Sequence, residues 1–558
     1  MDPSEHPGWR SAPSAAGEPA FRRPLGALEL GFYWDAVTDG VAVTVNVLDL
    51  EAAPAHEHEV FARDNVVRAW LRLKQRFPLL GAAVEELPGA ECIEFVVRET
   101  ALKTLRPGEL NFVEFTDAKD VARFREQLHN GPTVLGSELL ARVWVGAQRD
   151  APGRWWVFIP VVHYITDGMG NATVVREFCE ELASLGEGAE VGGVPLEARL
   201  RTIVPTEVLT PSSKLSVPRR RWRFAIAKVI QDIRGGKTVG GHTLPTLPEV
   251  SHTKPLSRAI FVQFTVAESQ QIMRTCRAWG LTLGNAHPVL SQLAFARLLH
   301  RLHAQGTLSD ADWETRLRQP MHYTGPMNYR PYLDSAWYKS GGAEEVCIAI
   351  SFYTLTLPSL PRAPTSPPDA TGAPPFHALL SPARFRARAQ AARAQSKALA
   401  AHPLLHEFHA LRLTLRNART RTAALALREG RPASGLSPLP GVAPSAGRFA
   451  ELPPCVFANG GASLGDRDAL MPEAYPLPGA GAPPEPVRLR LHGAAHDLRC
   501  RMGELYLGAL TWRGRLQFFA AFDARTYDEA LVRAWTEEVR GATLAFLGAG
   551  AEVPGARL

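Results

Sequence analysis

The sequence predicts an α/β protein built as two lobes. Apolar runs of strand length alternate with segments of helical periodicity over residues 24–203, a stretch rich in Pro, Gly and basic residues follows at 204–255, and a second strand-and-helix series occupies 256–547. A chain of 558 residues, 46% hydrophobic and 21% charged, has material for two cores and none of the compositional marks of a disordered or collagen-like protein.

Residues 1–23 are rich in Pro, Ser, Ala and Gly and read as a disordered leader. The run 40–48 (GVAVTVNVL) alternates as a strand does, 65–77 repeats its apolar residues at helical spacing, and 92–97 is a further strand. Two apolar strands at 139–145 and 155–162 lead into an amphipathic helix at 170–185. The crossover linker 204–255 holds one amphipathic stretch, 222–233. The second lobe opens with a strand at 259–266 and a helix at 268–279 stopped by Gly280, followed by a long apolar helix at 286–302. The stretches 358–375, 431–447 and 476–486 are so dense in Pro, Gly, Ala and Ser that surface insertions tolerant of deletion are expected. The chain closes with a hairpin, 505–511 and 516–522 around the Arg513–Gly514 turn, a helix at 528–546 and a tail at 548–558.

Charge and cysteine usage exclude several classes. The 62 Lys and Arg against 56 Asp and Glu leave +6, too mild and dispersed for nucleic acid yet compatible with a weakly basic pocket for an anionic ligand. Six single cysteines without CxxC spacing read as reduced, mostly buried thiols, and no metal site is expected. The acidic, proline-bearing start Met1–Glu5 lacks the pattern of a secretory signal, and no apolar run reaches the roughly 18 residues of a membrane span. A cytoplasmic monomer is expected, with Ala556-Arg557-Leu558 matching a peroxisomal address.

The sharpest chemical signal is His163-Tyr164-Ile165-Thr166-Asp167-Gly168, between a buried strand and a helix. A strand-to-helix turn can present an imidazole to a cleft while the carboxylate four residues on faces inward to a structural cation, with Gly168 easing the turn. This HxxxDG turn resembles that of the chloramphenicol-acetyltransferase-like superfamily of CoA-dependent acyltransferases, which includes peptide-synthetase condensation domains, plant BAHD enzymes and fungal alcohol acetyltransferases. Leu25-Gly26 with Phe32-Tyr33-Trp34-Asp35 is similar to the family's opening element, Arg76-Phe77-Pro78-Leu79-Leu80 to its early proline turn, Gly280-Leu281-Thr282 to its second-lobe entry, Asn328-Tyr329-Arg330-Pro331 to its N-x-R-P segment, and Asn459-Gly460-Gly461 to its late Asn-Gly turn. The residue before His163 is Val162 and not the second histidine of condensation domains, and the BAHD Asp-Phe-Gly-Trp-Gly motif is absent, so the pattern lies nearest the fungal alcohol O-acetyltransferases.

The resemblance implies two α/β sandwich lobes forming a pseudo-dimer, with His163 midway along a tunnel between them. It implies acyl transfer from acyl-CoA, a co-substrate and not a bound cofactor, to a small-molecule alcohol. His163 is then the general base, Asp167 a brace paired with Arg330, Gly168 and Asn328 structural support, and Ser351, Tyr353 and Asn459 candidates for the tunnel wall or oxyanion donor. A condensation-like enzyme fed by a carrier protein, a non-catalytic acyl-CoA-binding relative, and N-acyl transfer stay open. Three other patterns compete with this one. Gly461-Ala462-Ser463-Leu464-Gly465 matches a hydrolase elbow but lacks a long helix after it; Gly236-Lys237-Thr238 lacks the first glycine of a phosphate loop; His402, His406 and His409 share a helical stretch without metal-motif spacing. The basic stretches Arg219–Arg221 and Arg384–Lys397 read as solvated faces, with contact to CoA phosphates as the alternative.

Overall fold

Hydrophobic periodicity becomes secondary structure in the expected order. The computed structural model describes residues 8–13, 19–38, 40–87, 92–186, 194–249, 254–360, 367–431, 442–443, 454–478 and 486–548. The early strand is Val43–Ala52 and the first long helix Arg63–Arg76; the apolar strand Arg154–Val162 runs into the helix Gly168–Ala183. In the second lobe the strand Ser257–Gln263 precedes helices Val266–Ala278 and Leu283–Ala304, and Gly280 ends the first of these at φ 65°. The closing hairpin turns through Arg513 and Gly514, both at positive φ, as a two-residue connection between twisted strands requires.

The sheet of the first lobe runs, edge to edge, Ala474–Tyr475, Leu489–Leu498, Val43–Ala52, Arg154–Val162, Val143–Gln148 and Leu110–Phe115. Its first two strands come from the stretch assigned by sequence to the second lobe, so 256–547 is not one contiguous lobe. Val43–Ala52 is buried along nearly its whole length, and its backbone must be paired on both sides. Arg154–Val162 pairs one side, and the late segment Leu489–Leu498 pairs the other.

The leader reading also needs correction. Arg10–Pro13 and Pro19–Pro24 are strands of a four-stranded sheet completed by Ile93–Arg98 and Ala83–Glu86. Composition conceals this because the burial is carried by a small residue and a charged one. Ala20 and Arg23 are both 0% exposed, and Arg23 donates to both Glu29 carboxylate oxygens at 2.8 and 2.9 Å.

The second lobe's sheet runs Ile350–Leu357, Met321–Asn328, Cys455–Asp466, Leu505–Trp512, Arg515–Asp523 and Ser257–Gln263. Trp535 and Phe295, 5.1 Å apart, and Phe385 stacked 4.5 Å from Phe546 join helices Leu283–Ala304, Pro382–Ala400 and Glu529–Leu547 into its core. The crossover carries the helix Val217–Gly235, whose Ile226, Ala227 and Ile230 pack on Phe408 and Leu411 of helix Leu405–Arg428. Part of the first insertion is anchored: Arg297 donates to the Pro374 carbonyl at 2.6 Å and pairs with Asp369 at 2.8 Å. Residues 367–375 are therefore not a freely deletable loop, while 361–366, most of 431–447 and 476–486, and the tail from 549 onward lie outside the described residues. All six cysteines are unpaired and five are buried. Among the described residues no helix is long and apolar enough to cross a membrane.

Candidate active site

The strand Arg154–Val162, buried from Val157 onward, ends at Val162 and delivers His163 at the mouth of the turn. His163 Nδ1 lies 2.6 Å from the Thr166 carbonyl oxygen. A carbonyl only accepts, so Nδ1 carries the hydrogen and Nε2 keeps its lone pair. The Phe32 ring sits 4.5 Å from the imidazole. Burial pushes the imidazole below its ordinary pKa, against the Thr166 bond, and the Arg501 guanidinium acts in the same direction. The ring is thus held neutral, with no partner at Nε2 among the described residues.

Asp167 faces away from the imidazole. Oδ1 caps the helix Gly168–Ala183 by accepting from Met169 N and Gly170 N, each at 3.0 Å. Oδ2 accepts from Arg330 Nη1 at 2.7 Å and Ala349 N at 2.8 Å. Both side chains are 1% exposed. Burial alone would raise the Asp167 carboxyl, but Arg330 and the backbone donors hold it below the ordinary carboxylate range. Arg330 Nη2 donates to the Glu345 and Cys347 carbonyls at 3.1 and 2.9 Å, so one guanidinium ties the turn to the second lobe. Asn328 Oδ1 accepts from Arg330 N at 3.1 Å and fixes that segment.

Gly168 plays no steric part in the turn. It is the first residue of its helix, its φ is not positive, and an added Cβ would meet nothing within 4 Å. Gly168→Ala is expected to leave the thermal midpoint unchanged. A large fall would show that the turn needs glycine after all.

The polar groups of Ser351, Tyr353 and Asn459 bond partners other than His163. The Ser351 hydroxyl bonds His409 Nδ1 at 3.1 Å, the Tyr353 hydroxyl donates to the Gly461 carbonyl at 2.7 Å, and the Asn459 amide accepts from Ser291 at 2.8 Å while donating to the Gly460 carbonyl at 2.6 Å. His406 Nδ1 meets the Tyr329 hydroxyl and His402 Nδ1 accepts from Leu404 N at 3.0 Å, so all three clustered histidines have specific partners. Arg388 of the basic helix is tied to the carbonyls of Pro358 and Ser359 at 2.7 and 3.0 Å. Gly236 is the C-cap of the helix Val217–Gly235.

The elbow pattern is overturned: 461–465 lies inside the strand Cys455–Asp466, whose register shifts after Ser463 near Gly465 at φ 74° without leaving the sheet, and Ser463 is exposed opposite Ala509, where a nucleophile needs a sharp strand-to-helix turn. Ser463→Ala should alter stability by no more than about 0.5 kcal/mol. A fluorophosphonate probe should leave this serine unlabelled, and labelling would restore the hydrolase reading.

Sequence reasoning missed the surroundings of the turn. Thr166 Oγ1 and Asn46 Nδ2 both donate to Asn171 Oδ1, at 3.2 and 3.3 Å, and Asn46 bonds His496 on the crossing strand Leu489–Leu498. Asp35 binds Arg501 at 2.8 Å and also Arg416. The only available signal was Asp35 itself, in the opening element; its partners lie 466 and 381 residues away.

No protein-family model and no curated protein sequence matches this chain. Solved structures do. The trichothecene 15-O-acetyltransferase from Fusarium sporotrichioides aligns with a TM-score of 0.67 over 97% of both chains at 13% identity. The first condensation domain of the calcium-dependent antibiotic synthetase aligns at 0.57 over 95% of this chain and 98% of that one, with 13% identity. Polyketide synthase associated protein 5 from Mycobacterium tuberculosis aligns at 0.51 over 94% and 98%, again at 13% identity. The fold is that of the condensation-domain and chloramphenicol-acetyltransferase-like proteins, over almost the whole chain, and at these identities the fold alone is shared.

Proposed function

We propose that this chain is an acyltransferase that moves an acyl group from a CoA thioester to the hydroxyl of a small-molecule alcohol. The observation that carries the reading is His163: a neutral imidazole whose Nδ1 is locked on Thr166, leaving Nε2 as the one basic atom of a turn braced across both lobes. In the proposed reaction the acceptor hydroxyl oxygen attacks the thioester carbonyl carbon as Nε2 takes the hydroxyl proton. The tetrahedral intermediate collapses by breaking the C–S bond, and the imidazolium returns its proton to the departing thiolate. No covalent acyl-enzyme forms.

The test is free-thiol release from acetyl-CoA and longer acyl-CoAs across a panel of alcohols, with amines and a loaded carrier protein as further arms. Acceptor-dependent release with CoA donors supports the reading. Release only from the carrier converts the enzyme to the condensation type, and no release from any donor overturns transfer.

The pH profile offers a second check. The reactive form is the unprotonated ring, and its folded pKa is lowered. Activity is therefore full at neutral pH and lost only as pH falls through that lowered value. The acid limb of kcat/KM should show unit slope with a midpoint below the about 6.5 of an ordinary imidazole. A midpoint at or above that value would contradict the buried-base assignment.

A further inference from the structure

Charge beside the imidazole is unbalanced. Phe32, which packs on His163, lies under two guanidinium groups, Arg416 at 4.2 Å and Arg501 at 5.4 Å from its centroid. Both bind the buried Asp35. Arg501 also pairs with Glu504 at 3.7 Å. Arg419, exposed and nearly one turn along the helix Leu405–Arg428 from Arg416, acts on Asp35 through space alone. Arg412, one turn the other way on that helix, gives Nη1 to the Phe352 carbonyl and meets no carboxylate among the described residues. Arg416, Arg501 and Arg419 thus share two carboxylates, Asp35 and Glu504, and Arg412 stands apart on Phe352.

The arrangement is built. A Cβ at Gly31 would overlap the Arg416 guanidinium, so the glycine opens the helix Ala27–Ala36 to let it pass. Arg416 Nη1 is buried without a hydrogen-bond partner among the described residues. Burial, with the neighbouring cations, brings Arg416 down to about 10, and burial does the same for Arg412. A buried guanidinium with an unused donor, beside a cluster that holds one more cation than carboxylates, favours an incoming anion.

We propose that this guanidinium cluster is a subsite for an anionic group, a carboxylate or phosphate, carried by one of the two substrates that meet at His163. The identity of the group as part of a substrate rests on the acyltransferase reading; its recognition does not. Arg416 Nη1 supplies the open donor, Arg501, whose fork is held by Asp35 and Glu504, adds charge beside it, and Arg419 at the exposed end adds attraction. The source is either an acid function on the acceptor alcohol or a phosphate of CoA.

Equilibrium binding by titration calorimetry tests this without turnover. The probes are CoA against dephospho-CoA, and malate and 4-hydroxybenzoate against their methyl esters. At least one anion should bind about tenfold more tightly than its less charged counterpart, with affinity falling as salt rises. Preference within the CoA pair assigns the phosphate; preference for a hydroxy acid assigns the acceptor. Arg501→Gln should erase most of that preference, about tenfold, and Arg419→Gln, which breaks no bond among the described residues, should reduce it about threefold. Equal affinity within every pair, or a preference untouched by either variant, overturns the proposal. A protein that binds the anion in this way yet releases no thiol refutes the transferase reading and leaves the subsite standing.

Discussion

Replacing His163 by alanine is expected to lower acceptor-dependent thiol release by about a hundredfold or more. The loss should not come from unfolding. The imidazole's hydrogen bond, to Thr166, lies within its own turn, and a bond of this kind contributes about 1 kcal/mol. The turn is held instead by Asp167, Arg330 and Asn171, none of which touches the ring. His163→Asn sharpens the test, because an amide can still donate to the Thr166 carbonyl but cannot take a proton at neutral pH. Both variants should keep the wild-type circular dichroism spectrum and lose activity alike. An asparagine variant retaining activity within tenfold of wild type would mean that the imidazole orients and does not act as base, and the proposed reaction would fail.

The parts of this molecule that were legible in the sequence are those whose cause is local. Helix Gly168–Ala183 and strand Arg154–Val162 follow from the period of their apolar residues, and the His163–Asp167 turn follows from the residue types that such a junction needs. The pairing of Arg330 with Asp167 was implied by the resemblance of the Asn328–Pro331 segment to the family's N-x-R-P motif, and the two side chains do meet. What stayed hidden depends on pairing over long separations. The segment Leu489–Leu498 (LRLHGAAHDL) has no clean alternation and a register shift between Leu491 and Gly493, so nothing in it declares that it closes the sheet of the other lobe. The strands at Arg10–Pro13 and Pro19–Pro24 escaped for the same reason, since an Arg23–Glu29 pair takes the place of an apolar stripe. The cluster around Asp35 is assembled from the end of one helix, the middle of another and the turn after the strand Leu489–Leu498, which only the closed fold brings together.

Asp167→Ala is expected to cost about 3–5 kcal/mol in stability, through Arg330 and not through the imidazole. Deleting the carboxylate leaves Arg330, 0% exposed, with two carbonyls but without the carboxylate it pairs with, and a buried cation stripped of its ion pair carries much of the desolvation cost. The lost cap on the helix Gly168–Ala183 adds about 1 kcal/mol. Removing both charges is a different matter: Asp167→Asn with Arg330→Met should recover a large part of the loss, because the uncompensated charge is gone. The sign of the pH dependence follows from the lowered carboxyl. Its stabilising effect is present above the unfolded carboxylate range, about 3.9, and is lost as pH falls through the lower folded value. Wild type should therefore lose this stability only on the acid side, whereas Asp167→Ala lacks it at every pH. Since two lobes need not unfold together, the comparison belongs to calorimetric transitions resolved for each lobe and not to a two-state fit. A single Asp167→Ala variant with an unchanged transition and less than a tenfold loss in rate would refute the brace; a double variant no better than the single would show that the damage lies in the helix cap and the Ala349 contact instead.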